Sequence, residues 1–492
     1  MLREGNYSSH FRGNNMSVKP PKIVMIGAGS AIFGLGALAR IIGSPRLRGA
    51  ELALVDIDEH GLQTMTALAH KMNAAWDAGM TITSSTERTE VMPGADFVIV
   101  SIQVGQRETV WEMDWQIPLR HGVRQPYAEN GGPGAFSHTA RNLPVIVDIA
   151  RDMERLCPNA WYFNLTNPLI RLSYAVHRYT NVKILGLCHQ LLWGYAMAAA
   201  ILGDRWDIPI PEHFHVHTDA ANMPSFIPVA MAALQHIDIK AAGINHFSWV
   251  YDIRDKHTGE DLYPLLRERW LKTYRKDFEP LTREIFEIFG MMPTAGDSHM
   301  CEYLNVVSDP LTKPWEKYDL KLQSWEGNRK RRAERWELAH AIVDGRMDVS
   351  VLKDLRRFSI LEEPVPELIE AMVYNDNFYA HQMNIPNTGG LIPNLPTDAI
   401  VEVPAVVSGM GIQGLGFPAL PEGVAELCRR ELARSKIVVE AAATGDRDLA
   451  LQAILLDPMV TDIDQARAIL KDQLTDFAEF LPQFARDKEF TT

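Results

Sequence analysis

The sequence predicts an α/β fold, with a doubly wound parallel sheet in the first half and a mixed α+β second half packed intimately against it. Three observations point there. Short apolar runs alternate with helix-like segments: KIVMIGAG (22–29), ELALVDID (51–58), ADFVIVSIQVG (95–105), AWYFNLTNP (160–168) and KILGLCHQ (183–190), with SHTARNLPVIVDIARDMERL (137–156) among the helical stretches. Runs that are apolar along most of their length suit strands covered on both faces, the situation of a parallel sheet. Each run also ends in polar or glycine-rich residues (GAGS, DID, QVGQRE, NLTNP, CHQ). Open parallel sheets bind ligands beyond the carboxyl ends of their strands, so these endings are expected to gather at one edge. Finally, glycines follow the first run and precede a predicted helix, as in Rossmann-like dinucleotide-binding units.

Taken in order, residues 1–20 read as a polar extension without packed structure. They have no apolar stretch of the kind a secretory signal carries, and Met16 is an alternative start. Residues 21–195 read as the dinucleotide-binding unit, and 196–492 as a unit for substrate, metal and subunit contacts. In the second unit, IDIKAAGINHFSWVYDIRD (237–255) predicts a strand, a polar turn and a returning strand. Segments 264–290 and 313–342 predict charged amphipathic helices. Segment 387–414 predicts loop, strand and turn, and 422–458 predicts two helices. A chain of 492 residues suits two closely packed units. The formal net charge of −13 disfavours nucleic acid or an anionic membrane as partner, since either would want a basic face. No stretch of about 18 apolar residues predicts a membrane span. Four cysteines without a CxxC pair fit a reducing cytoplasm.

The loop KIVMIGAGSAIFG places Gly27, Gly29 and Ser30 where the backbone can approach a pyrophosphate at a helix N-terminus, although GxGxxxxG departs from the common GxGxxG spacing. Asp56 ends the next run, where a carboxylate accepts from ribose hydroxyls and repels a 2′-phosphate, so NAD is favoured over NADP. Gln103 ends the third run and joins this cofactor set. Asn164 and Asn167 can each donate and accept, which suits sugar hydroxyls, while Asn-Pro is also an ordinary turn. Cys188 and His189 allow a catalytic dyad, a metal site or core packing. Adjacent residues on an extended segment point to opposite faces, which disfavours the dyad. A metal needs a second ligand, and AGINHFSW offers His246 at another strand end. PTAGDSHMCEYL (293–304) carries Asp297, His299, Cys301 and Glu302, any of which can serve as acid or base, with Asp297 equally suited to capping a helix.

The stretches KIVMIGAGS, VDID, NGGPGAFSHTARNLPVI, FNLTNP, GLCH, AGINHFSW, IPNLPTDAIVEVP and VEAAATGDRDLALQAILLDP together resemble glycoside hydrolase family 4 over roughly residues 21–460. The resemblance implies a fold like lactate and malate dehydrogenases, with NAD and a divalent metal, usually manganese, held by Cys188 and His246. It implies oxidation at sugar carbon 3, metal-assisted loss of the carbon-2 proton, elimination of the aglycone, addition of water, and return of the hydride. The non-phosphorylated α-glycoside or α-hexuronide class follows from His189, which resembles members of that class. Asp297 is implied as the base, Glu129 as the acidic residue before the glycines, and His189 as acid or hydroxyl contact. Asn164 and Asn167 are implied to touch substrate. CHQ and AENGGPGAF depart from the family patterns tied to particular sugars, which leaves the sugar open. A 6-phospho-glycosidase of the same family and a metal-independent hydroxy-acid dehydrogenase are the alternatives. The expected partner is a small glycoside, and the expected assembly a cytoplasmic homodimer or homotetramer.

Overall fold

The computed structural model describes residues 19–31, 34–125, 127–216, 223–353 and 363–485. Nearly all of the expected N-terminal extension lies outside these. The described strands form one sheet of eleven, β1 (Lys22–Ile26), β2 (Glu51–Val55), β3 (Thr81–Ser85), β4 (Phe97–Val100), β5 (Trp161–Asn164), β6 (Lys183–Gly186), β7 (Ile237–Ile244), β8 (Phe247–Asp255), β9 (Phe378–Pro386), β10 (Ile400–Ser408) and β11 (Gly411–Gly414). The order β3-β2-β1-β4-β5-β6 is parallel throughout, the doubly wound dinucleotide-binding order, with its crossover at β1/β4. Beyond β6 the sheet continues through β9, β10, β7 and β8 with antiparallel pairing. The join is narrow, Gly186 facing Asn384. A Cβ on Gly186 would lie 3.0 Å from the Asn384 Cβ, so glycine lets β9 close on β6.

Each expected run of the first half contains a strand, and the apolar residues of β1, β2 and β4 are almost wholly buried. One core lies beneath helices Gly34–Ile42, Glu59–Ala75 and Val365–Tyr374. The other lies beneath Gly134–Leu156, Leu169–Tyr179 and Glu422–Thr444. The second half thus roofs both faces of the first. The expected division after residue 195 falls inside the buried helix Leu191–Leu202. The predicted hairpin is β7–β8, and the two helices predicted over 422–458 are Glu422–Thr444 and Arg447–Leu455. The helix expected over 264–290 is instead broken. Glu279 adopts a left-handed φ of 45°, and Pro280 starts a fresh helix that runs to Phe289. Among the described residues, no helix is long and apolar enough to cross a membrane.

Candidate active site

One cleft of 1610 Å³ opens where the strands β1, β2, β4, β5 and β6 end, and Gly27, Gly29, Ser30, Asp56, Gln103, Glu129, Asn167, Cys188, His189 and His246 all line it. Its first wall is the glycine loop. Gly27 has φ 89°, and its N–H donates to the Val55 carbonyl at 2.9 Å. A Cβ there would fall 1.9 Å from the Ser101 oxygen, so only glycine fits. A Cβ on Gly29 would lie 2.8 Å from the Asp56 carboxyl carbon. The Gly29 N–H donates to Asp56 Oδ2 at 2.8 Å and the Asp58 N–H to Oδ1 at 2.9 Å. These bonds fix the carboxylate at the tip of β2, while burial pushes its pKa up. The Val104 N–H, beside Gln103, donates to Asn142 Oδ1 at 2.8 Å, which holds the segment after β4 against helix Gly134–Leu156.

At the far wall, Cys188 follows β6 and His246 occupies the β7–β8 turn with φ 61°, in the left-handed region. Such a conformation costs about 1–3 kcal/mol in a non-glycine residue and concentrates at working sites. Cys188 Sγ lies 3.2 Å from His246 Nε2. His246 Nδ1 lies 2.8 Å from the Asn130 side-chain amide, which also reaches Glu129 Oε2 at 3.1 Å. Burial, with the charges of His299 and His189, holds the imidazole well below its ordinary pKa and therefore neutral. Burial, with Glu402 nearby, pushes the Cys188 thiol up. Glu402 anchors the turn by accepting from Asn245 at 3.0 Å, Ser248 at 2.7 Å and Asn384 at 3.0 Å. Gln190 joins the same network, donating to Thr294 Oγ1 at 2.6 Å and accepting from Ser248 Oγ at 3.1 Å. His189 turns elsewhere. Its ring stacks on Trp193 at 5.2 Å, and its Nδ1 lies 3.8 Å from Glu363 Oε1.

Two expected site residues do not line the cleft. Asn164 is fully buried, its Oδ1 accepting the Thr166 N–H at 3.0 Å and its Nδ2 donating to Ser173 Oγ at 3.0 Å. It shapes the turn after β5 and has no face toward substrate. Asp297 is also fully buried, with its carboxylate accepting the N–H groups of Leu281 at 3.1 Å and Thr282 at 2.7 Å. Burial and the adjacent Glu279 push its pKa well up. This placement corrects the expected base: the carboxylate is spent on the start of helix Pro280–Phe289.

The same short helix, Asp297–Met300, sends His299 into the cleft. His299 Nδ1 lies 2.6 Å from Glu302 Oε1, and Glu302 Oε2 accepts the Asn130 and Gly131 N–H groups at 3.0 and 3.2 Å. His138 is a further cleft residue, one that sequence reasoning missed. Its Nδ1 lies 3.2 Å from Asp114 Oδ2, and Arg141 grips the same carboxylate with two bonds of 2.6 Å. Burial alone would raise the pKa of Asp114, but Arg141 more than reverses this and holds it below the usual range. The i, i+3 spacing of His138 and Arg141 on one helix was the available signal.

A model of the family 4 glycosyl hydrolases matches residues 22–202, and one of the family 4 glycosyl hydrolase C-terminal domain matches residues 241–460. The chain is 30% identical to an alpha-glucosidase of Erwinia rhapontici, with 91% of this chain and 95% of the relative covered. It is 31% identical to an alpha-galactosidase of Bacillus subtilis (strain 168), covering 89% and 93%. Among solved structures it is similar to lplD of Bacillus subtilis, with TM-score 0.77, 26% identity, and 92% of this chain and 99% of that one covered. The fold is also that of the 6-phospho-beta glucosidase from Thermotoga maritima, solved with manganese, NAD+ and glucose-6-phosphate (TM-score 0.73, 20% identity, 93% and 99% covered). With both family models matched in sequence order, and a glycine loop and a Cys–His pair facing one cleft, this chain belongs to the family 4 glycosyl hydrolases.

Proposed function

We propose that this glycosidase hydrolyses a non-phosphorylated α-glycoside or α-hexuronide with the help of NAD and a divalent metal, manganese or a similar ion. One observation carries the proposal: Cys188 and His246, 58 residues apart, meet at 3.2 Å in the cleft that also holds the glycine loop and Asp56. The residues fit both groups. Gly27, Gly29 and Ser30 line the cleft at the start of a helix, where backbone can approach a pyrophosphate, and a thiol facing an imidazole suits a borderline divalent ion. Bound there, NAD would supply reversible hydride transfer at sugar carbon 3, and the metal would polarise the sugar oxygens.

The chain's own residues do the rest. Gly27, Gly29 and Ser30 cradle the phosphates, Asp56 accepts from the adenosine ribose, and Gln103 borders the nicotinamide end. Cys188 and His246 hold the metal. Asn167 and His189 contact the sugar and its leaving group, His189 being the more exposed of the Cys-His neighbours. Glu129 would move a proton near the metal, a reading supported by its tie through Asn130 to His246. His189 beside the cysteine supports a non-phosphorylated substrate, as does similarity over nearly the whole chain to an alpha-glucosidase and an alpha-galactosidase. Four buried, unpaired cysteines accord with a cytoplasmic enzyme, which we take to be a homodimer or homotetramer.

The test is a panel of p-nitrophenyl α- and β-glycosides, hexuronides and 6-phosphoglycosides, assayed with NAD, Mn2+ and a reductant. Release of nitrophenol from an unphosphorylated α-substrate, lost on omitting either NAD or metal and without net NADH, is expected. Turnover of 6-phosphosugars alone contradicts the substrate class, and net NADH contradicts glycoside hydrolysis.

A further inference from the structure

We propose that His299 is a third protein ligand to the divalent metal, with Glu302 as the residue that positions its ring. The inference rests on the reading above that this cleft binds such an ion. The His299 ring centroid is 4.2 Å from that of His246, and His246, His299 and Glu302 each offer a ligand atom within 4.8 Å of the others. His246 in turn faces the Cys188 sulfur. Cys188, His246 and His299 thus line one cleft, with His246 between the sulfur and the second imidazole, where the pair alone would leave an ion with sparse protein ligation.

The tautomer follows from Glu302. Its Oε2 accepts from the Asn130 and Gly131 N–H groups, which hold the buried carboxylate in place. Its Oε1, at 2.6 Å, draws the proton of His299 to Nδ1. With Nδ1 engaged by Glu302, Nε2 is the ring nitrogen left without a hydrogen-bond partner among the described residues, and His299 lines the cleft. Metal-ligating histidines are held by a carboxylate on the other nitrogen in this way, which fixes the ring and raises its basicity. The stack of His299 on Tyr127, 5.1 Å between centroids, fixes the plane of the ring. Ordinary packing accounts for that stack but not for a second imidazole brought to 4.2 Å from the ring of His246 in the same cleft.

The experiment titrates Mn2+ alone into the full-length wild-type chain and into His299→Ala and Glu302→Gln, with free Mn2+ read by electron paramagnetic resonance. NAD affinity serves as the control for fold. Removal of a ligand or of its orienting partner typically costs about 10–100-fold in metal affinity. His299→Ala is expected at or beyond the upper end and Glu302→Gln near the lower, with NAD affinity unchanged. X-ray absorption on the Mn2+-loaded wild type, which needs no variant, is expected to show scattering from two imidazole rings. Wild-type Mn2+ affinity in His299→Ala, or a single imidazole in the spectrum, overturns the proposal even if the variant turns over slowly. A wild-type chain that binds no Mn2+ would instead remove the metal reading itself, and this inference with it.

Discussion

Cys188 and His189 are neighbours in sequence and separate in the fold. Cys188 faces His246, whereas His189 stacks on Trp193 and lies near Glu363. That separation was legible from the sequence, because an extended backbone alternates its side chains. The roles within TAGDSHMCEY were not. Asp297, His299 and Glu302 share one turn of helix and the following turn, yet Asp297 meets the start of helix Pro280–Phe289 while His299 and Glu302 pair with each other. Spacing alone does not say which side of so short a helix meets the cleft. Placed as a cap, Asp297 yields a clear prediction. Asp297→Asn should lower stability by about 1–2 kcal/mol, the usual cost of a lost helix cap, and leave kcat within about tenfold. Loss of a general base would cost about 10²–10⁴. A drop of that size in a variant with normal melting behaviour would restore Asp297 as the base.

Among the elements, the apolar runs of the first half were readable because strands buried on both faces must be apolar. β3, TITSS, was not, since an edge strand with mostly exposed side chains carries no apolar run. β9, FYAHQMNIP, was missed because its buried and half-exposed residues follow no simple alternation. The glycine loop was readable from residue type alone, and its geometry explains why the unusual spacing is tolerated. Gly27 does the close approach and Gly29 makes room for Asp56, while the later glycine lies in the helix and packs against Met65. Gly27→Ala combines a positive φ with a clash on the Ser101 carbonyl. It should weaken NAD binding at least tenfold while leaving Mn2+ affinity near wild type, as read by parallel titrations of the two. Unaltered NAD affinity would remove this loop from the cofactor site. The strain involved is of the order of 1–3 kcal/mol.

At the scale of the whole molecule, one sheet carries both halves of the chemistry. The parallel strands deliver the glycine loop, Asp56 and Cys188 to one edge, and the antiparallel extension delivers His246 to the same cleft. Buried ion pairs lock the second half onto the first: Arg171 of helix Leu169–Tyr179 meets Glu431 at 2.8 Å, and Arg434 is bonded to both Glu431 and Asp457. Removing one partner of such a pair costs several kcal/mol, because the other is left buried and uncompensated. The sequence suggested two units. The continuous sheet, and a helix running through the expected boundary, make them one framework around one cleft, and pairings so far apart in sequence leave no local pattern to read. The proposed reaction breaks a glycosidic bond by passing through loss of the carbon-2 proton, with NAD and metal both required. Turnover of the preferred α-glycoside in deuterium oxide tests it most directly. Deuterium at carbon 2 of the released sugar is expected, with no hydrolysis once NAD and metal are stripped. Hydrolysis that survives the removal of both, with carbon 2 unlabelled, would contradict it.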